Sequence, residues 1–290
     1  MTDRERPGLG ALLLVGATLL FSLVSVGVKL SARTMPDDMI VFFRNAGALV
    51  GLAPLLVRGG WAGIKTERFK SHLARSLAGL ASIYFCFYAL ARMPLGDGML
   101  LSYTSPLFTP WLSFLWMRER APRGIGTAVA LGFAGVALVM KPGLGVFTYA
   151  AVAAVASGFF GAVTQVGDRD LTTTEPVRRI VFYFSAVSTV ISAVPLLWAW
   201  KTPHGMDWIF LIGTGVLAAI AQLLLTRAYR HASPAHLGTL IYSAVAFSGV
   251  WDWLIWKRTP DALSLVGAAL IFSAGAFILR RSRAELILAR

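Results

Sequence analysis

The sequence predicts an all-α integral membrane protein of ten transmembrane helices, arranged as two inverted five-helix repeats. Three observations lead there: apolar residues gathered in blocks of about twenty, basic residues concentrated between the blocks, and a chain that repeats itself at a fixed offset. The composition, 57% hydrophobic and 14% charged over 290 residues, fits that class. A bilayer core requires roughly 20 apolar residues per helix. Ten such blocks cover about residues 9–31, 38–57, 71–92, 95–117, 124–141, 147–167, 178–200, 207–229, 235–256 and 262–280. Little chain remains for a soluble domain. The first block follows Arg4 and Arg6 as a signal peptide would, but it is longer than a usual secretory core and ends in Lys29-Leu30-Ser31-Ala32-Arg33. It reads as an uncleaved first helix.

A net charge of +13 suggests a nucleic-acid binder until the charges are located. If Arg4 and Arg6 are cytoplasmic, nineteen Lys and Arg residues fall on the inside and seven on the outside, with Arg44 within a span. That bias places both termini in the cytoplasm. The charge excess is therefore a topology signal, and no nucleic-acid partner is expected. The single cysteine, Cys86, excludes an intramolecular disulfide and a cysteine-rich metal site.

The repeat is visible by eye. "IVFFRNAGA" from Ile40 matches "IVFYFSAVS" from Ile180 at an offset of 140, and "YTSPLFTPWLSFLW" from Tyr103 runs against "YSAVAFSGVWDWLI" from Tyr242 at 139. "FAGVAL" from Phe133 lines up with "SAGAFI" from Ser273. The halves divide as residues 1–142 and 143–290. Five spans per half make the second enter the bilayer in the opposite direction, the arrangement that builds a substrate site between halves near the midplane. Alternating-access transport is the function this architecture implies.

At "FFR" (Phe42, Phe43, Arg44), "YALARMPLGDGMLLSYTSPLF", Glu119 and "GFAGVAL", the chain resembles the EamA-type branch of the drug/metabolite transporter superfamily. The resemblance is fuller in the first half. In the second, Phe184 replaces the arginine, and Thr259 or Arg258 stands near the place of the glutamate. It implies a bacterial inner-membrane carrier of small metabolites, commonly an exporter, with a cavity lined by helices one to four and six to nine. The fifth and tenth helices are then scaffold or homodimer contacts.

Within the spans, Ser102, Ser105, Thr109 and Ser113 follow at helical spacing on one face. Hydroxyls in the lipid core prefer protein or a water-filled cavity, although they also bond their own helix carbonyls. On the 139 offset they map to Ile241, Ala244, Ser248 and Asp252, so the second copy carries a carboxylate on the equivalent face. Asp252 is read either as a ligand for a cationic group or proton, or as an interfacial carboxylate beside Trp251 and Trp253. Arg44 is read as an anchor for a substrate carboxylate or as a snorkelling structural cation. Tyr84, Tyr88, Tyr103 and Tyr242 offer apolar bodies with polar tips, and Gln165 and Gln222 need partners within the membrane. Lys29 and Asp168, related by the 139 offset, read as end-caps or gate residues, and His236 as an interfacial histidine. Gly132, Gly135, Gly267 and Gly275 allow close helix approach. Pro106 and Pro110 predict a kinked fourth span, with a straighter ninth span where Val245 and Gly249 replace them.

"GLGALLLVG" has no strand before it and no phosphate-loop signature after it. No catalytic residues, metal site or cofactor are expected. The expectation is a secondary transporter of a small zwitterionic or amphipathic metabolite, an amino-acid-derived compound or metallophore included. An importer of a larger charged metabolite, such as a nucleotide-derived cofactor, is the alternative within the class, and a membrane enzyme or lipid-handling protein the alternative outside it.

Overall fold

The computed structural model describes residues 7–57, 65–117, 125–140, 148–231 and 238–288, and all regular elements among them are helices. The first half comprises α1 (Pro7–Ser31), α2 (Asp37–Val57), α3 (Phe69–Arg92), α4 (Leu95–Ser102), α5 (Ser105–Met117) and α6 (Ile125–Met140). The second comprises α7 (Tyr149–Thr172), α8 (Val177–Ala193), α9 (Leu196–Ala199), α10 (Met206–His231), a 3₁₀ turn (Gly238–Tyr242), α11 (Ser243–Trp256) and α12 (Ala262–Leu288). Segments of α1, α3, α7 and α10 are long and apolar enough to cross a bilayer, and shorter apolar helices lie in α6, α8, α11 and α12. Glu119 and His236 lie outside the described residues.

Packing interleaves the halves. α1 lies along α10 as α7 lies along α3, α2 packs on α10 as α8 packs on α3, and α5 meets α7 as α11 meets α1. The helices α2 and α8, α4 and α11, and α6 and α12 face each other directly. Individual bonds repeat too. Thr104 donates to the Leu101 carbonyl at 2.7 Å, and 139 residues on Ser243 donates to the Leu240 carbonyl at 2.7 Å. Arg68 reaches Thr174 at 3.0 Å, while the corresponding Asp207 accepts from Thr34 at 2.6 Å.

Those paired hydroxyl bonds lie where the apolar blocks 95–117 and 235–256 break. The first copy is interrupted at Tyr103-Thr104, with Pro106 in the first turn of α5 and Pro110 inside it. The second copy is not the straighter counterpart that its sequence predicts, because it breaks at the same repeat position through a 3₁₀ turn without any proline. Both breaks carry a hydroxyl bound to the carbonyl three residues back, a bond that Thr18 and Ser22 also make inside unbroken α1. Proline reinforces the first break and does not cause the second. Block 178–200 is likewise two helices, since Pro195 interrupts α8 and opens the single turn of α9.

Glycines set the closest approaches. A methyl group on Gly47 would stand 2.6 Å from the Gly215 Cα, joining α2 to α10. One on Gly135 would meet the Gly267 carbonyl oxygen at 2.7 Å, and one on Gly267 the Gly135 carbonyl oxygen at 2.7 Å, joining α6 to α12. Gly132 gives room to Leu107, and Gly275 to the Tyr242 hydroxyl.

Candidate functional site

Polar groups gather at three levels along the bundle. At one end Arg68, just before α3, and His72 and Arg75 on it are spaced to meet the end of α7. Arg75 grips Asp168 through Nε to Oδ1 at 2.6 Å and Nη2 to Oδ2 at 2.9 Å, with its guanidinium 4.4 Å over the Phe184 ring. Arg68 binds Asp170 at 2.6 Å. Buried Glu175 accepts from Thr66 at 2.6 Å and from Arg179, and its Oε1 lies 3.9 Å from the Nε2 of fully buried His72. The His72 ring stacks on Tyr183 at 4.6 Å. Burial pushes the Glu175 carboxyl upward, but the bonds from Thr66 and Arg179 and the facing cations outweigh it and hold the group below the ordinary carboxylate range. These links staple α3 to α7 and to the start of α8.

The middle level holds the hydroxyl stripe. Gln165 donates to Ser105 at 3.0 Å and accepts from Thr109 at 3.3 Å, and Thr109 also bonds the Ser105 carbonyl at 2.8 Å. So Ser105, Thr109 and Gln165 meet as one cluster between α5 and α7. Further along α3, Ser82 bonds the Ser157 carbonyl at 2.9 Å. The Cys86 thiol faces Ser102, Ser157 and the Arg44 charge. Arg44 donates to Asn45 at 2.9 Å and engages in no ion pair among the described residues. The Asn45 amide nitrogen is buried without a hydrogen-bond partner among the described residues.

At the other end, Asp252 is almost fully buried, accepts from the Gly96 backbone N–H at 2.8 Å and faces Lys29 at 3.8 Å. Lys29 also donates to the Met93 carbonyl at 2.5 Å and lies 5.0 Å from the Trp256 ring centre. Trp251 donates to Ser22 at 2.8 Å, tying α11 to α1. Arg92 pairs with Asp37 at 2.7 Å and covers the Tyr88 ring at 3.8 Å.

The remaining candidates are dispersed. Tyr103 and Tyr242 do meet across the repeat, their ring centres 6.5 Å apart, but Tyr242 is buried edge-on to Phe272 at 4.7 Å against α12. Tyr84 turns its buried hydroxyl toward Asp38, Ser248 is fully buried with an oxygen that has no hydrogen-bond partner among the described residues, and Gln222 lies half-buried on α10. Asp252 is held by Lys29 and the Gly96 N–H. The staple of His72, Arg75 and Glu175 was not anticipated as a site. Its signal was present in the spacing of Arg68, His72 and Arg75 opposite three acids, Asp168, Asp170 and Glu175.

Among the described residues the middle level holds a cation without an ion pair beside neutral polar side chains, with ion pairs at both ends. The EamA-like transporter family model matches residues 8–141 and 147–280. The chain belongs to the EamA-like transporter family. It is 34% identical over 273 residues to the pseudopaline exporter CntI of Pseudomonas aeruginosa, covering 91% of this chain and 94% of that one. It is 29% identical over 283 residues to a riboflavin transporter of Vibrio cholerae, covering 96% and 95%. An S-adenosylmethionine uptake transporter of Rickettsia bellii is 24% identical over 240 residues, covering 83% and 82%. A crystal structure superposes with a TM-score of 0.64 at 20% identity, over 95% of this chain and 98% of that one, which shows a shared fold. This EamA-like protein is thus a membrane transporter of the drug/metabolite type.

Proposed function

We propose that this transporter exports a small carboxylate-bearing, amino-acid-derived metabolite of the metallophore kind by alternating access between its two halves. One observation carries the substrate class. Among the charges within the apolar blocks, Lys29, Arg75 and Asp252 each have an ion-pair partner, and Asp168 closes the end of its block in the same way. Among the described residues Arg44 has none, and it faces Cys86 and, with it, the Ser102 level of the bundle. An uncompensated guanidinium in a membrane span is costly, and a substrate carboxylate relieves that cost by bidentate bonding. Ser102, Ser105, Thr109 and Gln165 then supply neutral bonds to the ligand's amine and hydroxyl groups.

The reading includes ten spans, inverted repeats divided at 142 and 143, and cytoplasmic termini. It is supported by the interleaved packing, the repeat-related hydroxyl bonds and the excess of Lys and Arg on one side. Export is favoured by the likeness to CntI over nearly the whole chain. Uptake of a riboflavin-like compound is the second reading, favoured by relatives named for that substrate. The unpaired charge argues against a cation such as S-adenosylmethionine.

The test uses bacteria that synthesise pseudopaline and lack their own exporter. With this protein supplied, pseudopaline is expected in the medium, and with Arg44→Gln it stays in the cells. Absence of efflux, together with riboflavin uptake by the purified protein in liposomes, would replace the export reading with the second.

A further inference from the structure

Beside the Lys29–Asp252 pair lies a pocket of about 230 Å³ lined by Lys29, Arg33, Arg92 and Arg258 with Met93 and Trp256. Four cations and no acid line it. Asp252 and Asp37 engage Lys29 and Arg92, but no ion pair among the described residues engages Arg33 or Arg258. Those two guanidiniums are close enough to repel the Lys29 ammonium. The convergence is built by the chain. Lys257 adopts a left-handed conformation, φ 55°, at the end of α11, and its turn is closed by the Arg258 N–H on the Asp252 carbonyl at 3.2 Å. That turn sets Arg258 beside the end of α1, which carries Lys29 and is followed at once by Arg33.

Four cations held together beside only two paired acids favour an anion with more than one negative centre. A single-centre anion reaches one or two of these cations. A compact polycarboxylate reaches Arg33 and Arg258 together and offers Lys29 a carboxylate to exchange for Asp252. We propose that this pocket is a binding site for polycarboxylates, through which an exported ligand leaves the protein. Its use as an exit rests on the export reading above, while its chemistry rests on the pocket alone. As a carboxylate loads here, the bond between Lys29 and Asp252 that joins α1 to α11 loosens, and release is coupled to opening at this end.

The test is a fluorescence titration of the purified full-length protein in detergent with citrate, reading the Trp256 signal that Trp256→Phe removes. Saturable quenching by citrate is expected. Arg33→Gln/Arg258→Gln weakens it about tenfold, whereas sulfate binds more weakly than citrate in the wild type. Both arginines are exposed, so an unchanged thermal unfolding profile shows that the double variant is folded. No Trp256-dependent change with citrate, equal binding of sulfate and citrate, or unchanged citrate affinity in a folded double variant would each overturn the assignment. If citrate binds while pseudopaline efflux is absent, the export reading fails and the site stands. If efflux occurs without citrate binding, the reverse holds.

Discussion

Arg75 closes on Asp168 with two parallel hydrogen bonds, 2.6 and 2.9 Å long, across the seam where α3 and α7 run side by side. Cys86 lies three turns further along the same helix, so the pair stands between one end of the bundle and the middle polar level. Asp168→Asn removes the charge and keeps the shape. Losing about 1 kcal/mol of closure raises the open population roughly fivefold. Cys86 is the only thiol, so its labelling rate by a membrane-impermeant reagent in inverted vesicles reads that opening directly. A several-fold faster rate is expected, and Arg75→Lys, which loses the bidentate geometry, moves in the same direction.

The opposite end depends on Lys29 and Asp252. Removing one partner of a buried pair costs more than removing both, because the survivor is left as an uncompensated charge. Lys29→Met should therefore lower stability by about 3 kcal/mol, and Lys29→Met/Asp252→Asn should recover much of it. Asp252→Asn alone is milder, since its amide oxygen still accepts from Gly96 and Lys29 still has the Met93 carbonyl. Thermal unfolding of the four proteins in one detergent measures the coupling.

Two glycines respond oppositely to the same added methyl group. At Gly47 the methyl collides with the Gly215 backbone, and backbone cannot rotate away. Gly47→Ala should destabilise by about 1–3 kcal/mol by forcing α2 from α10. At Gly8 nothing lies within 4 Å, and alanine should stabilise that turn of helix by up to about 1 kcal/mol. Paired unfolding midpoints check the contrast.

Glu175 sets the acid response of the Arg75 end. The groups facing it are Thr66, His72 and Arg179. Its carboxyl is held below the ordinary range, so its ionised form favours the folded state at every pH above the unfolded value near 4.3. That contribution is lost only as pH falls through the lower folded value. Glu175→Gln should thus cost about 2 kcal/mol, by an amount that stays level from pH 5.5 to 8 and shrinks in stronger acid. Differential unfolding of the variant and wild type across pH follows it.

The span boundaries were legible because apolar length is a local property, and α2, predicted over 38–57, runs Asp37–Val57. The repeat was legible because Tyr103 and Tyr242 keep their neighbours. The second break was hidden because no proline stands at it, and Ser243 also suits an unbroken helix. The staple was hidden for a different reason. Arg68, Arg75 and Arg179 were all absorbed into the count of basic residues on one side, and only tertiary packing gives them Asp170, Asp168 and Glu175. Arg44 stood out in the sequence as a charge in a span, but its lack of an acidic partner among the described residues emerges only in three dimensions.

The central claim is that Arg44 holds a substrate carboxylate. Flux of pseudopaline through wild-type protein and Arg44→Gln in the same liposomes, beside an analogue with its carboxylates capped as amides, tests it most directly. Loss of a buried charge-assisted bond of about 1.5–3 kcal/mol predicts that the variant moves pseudopaline at least about tenfold more slowly, and that capping slows the wild type to a similar degree. Equal flux of pseudopaline through both proteins, or wild-type flux indifferent to capping, would contradict the account.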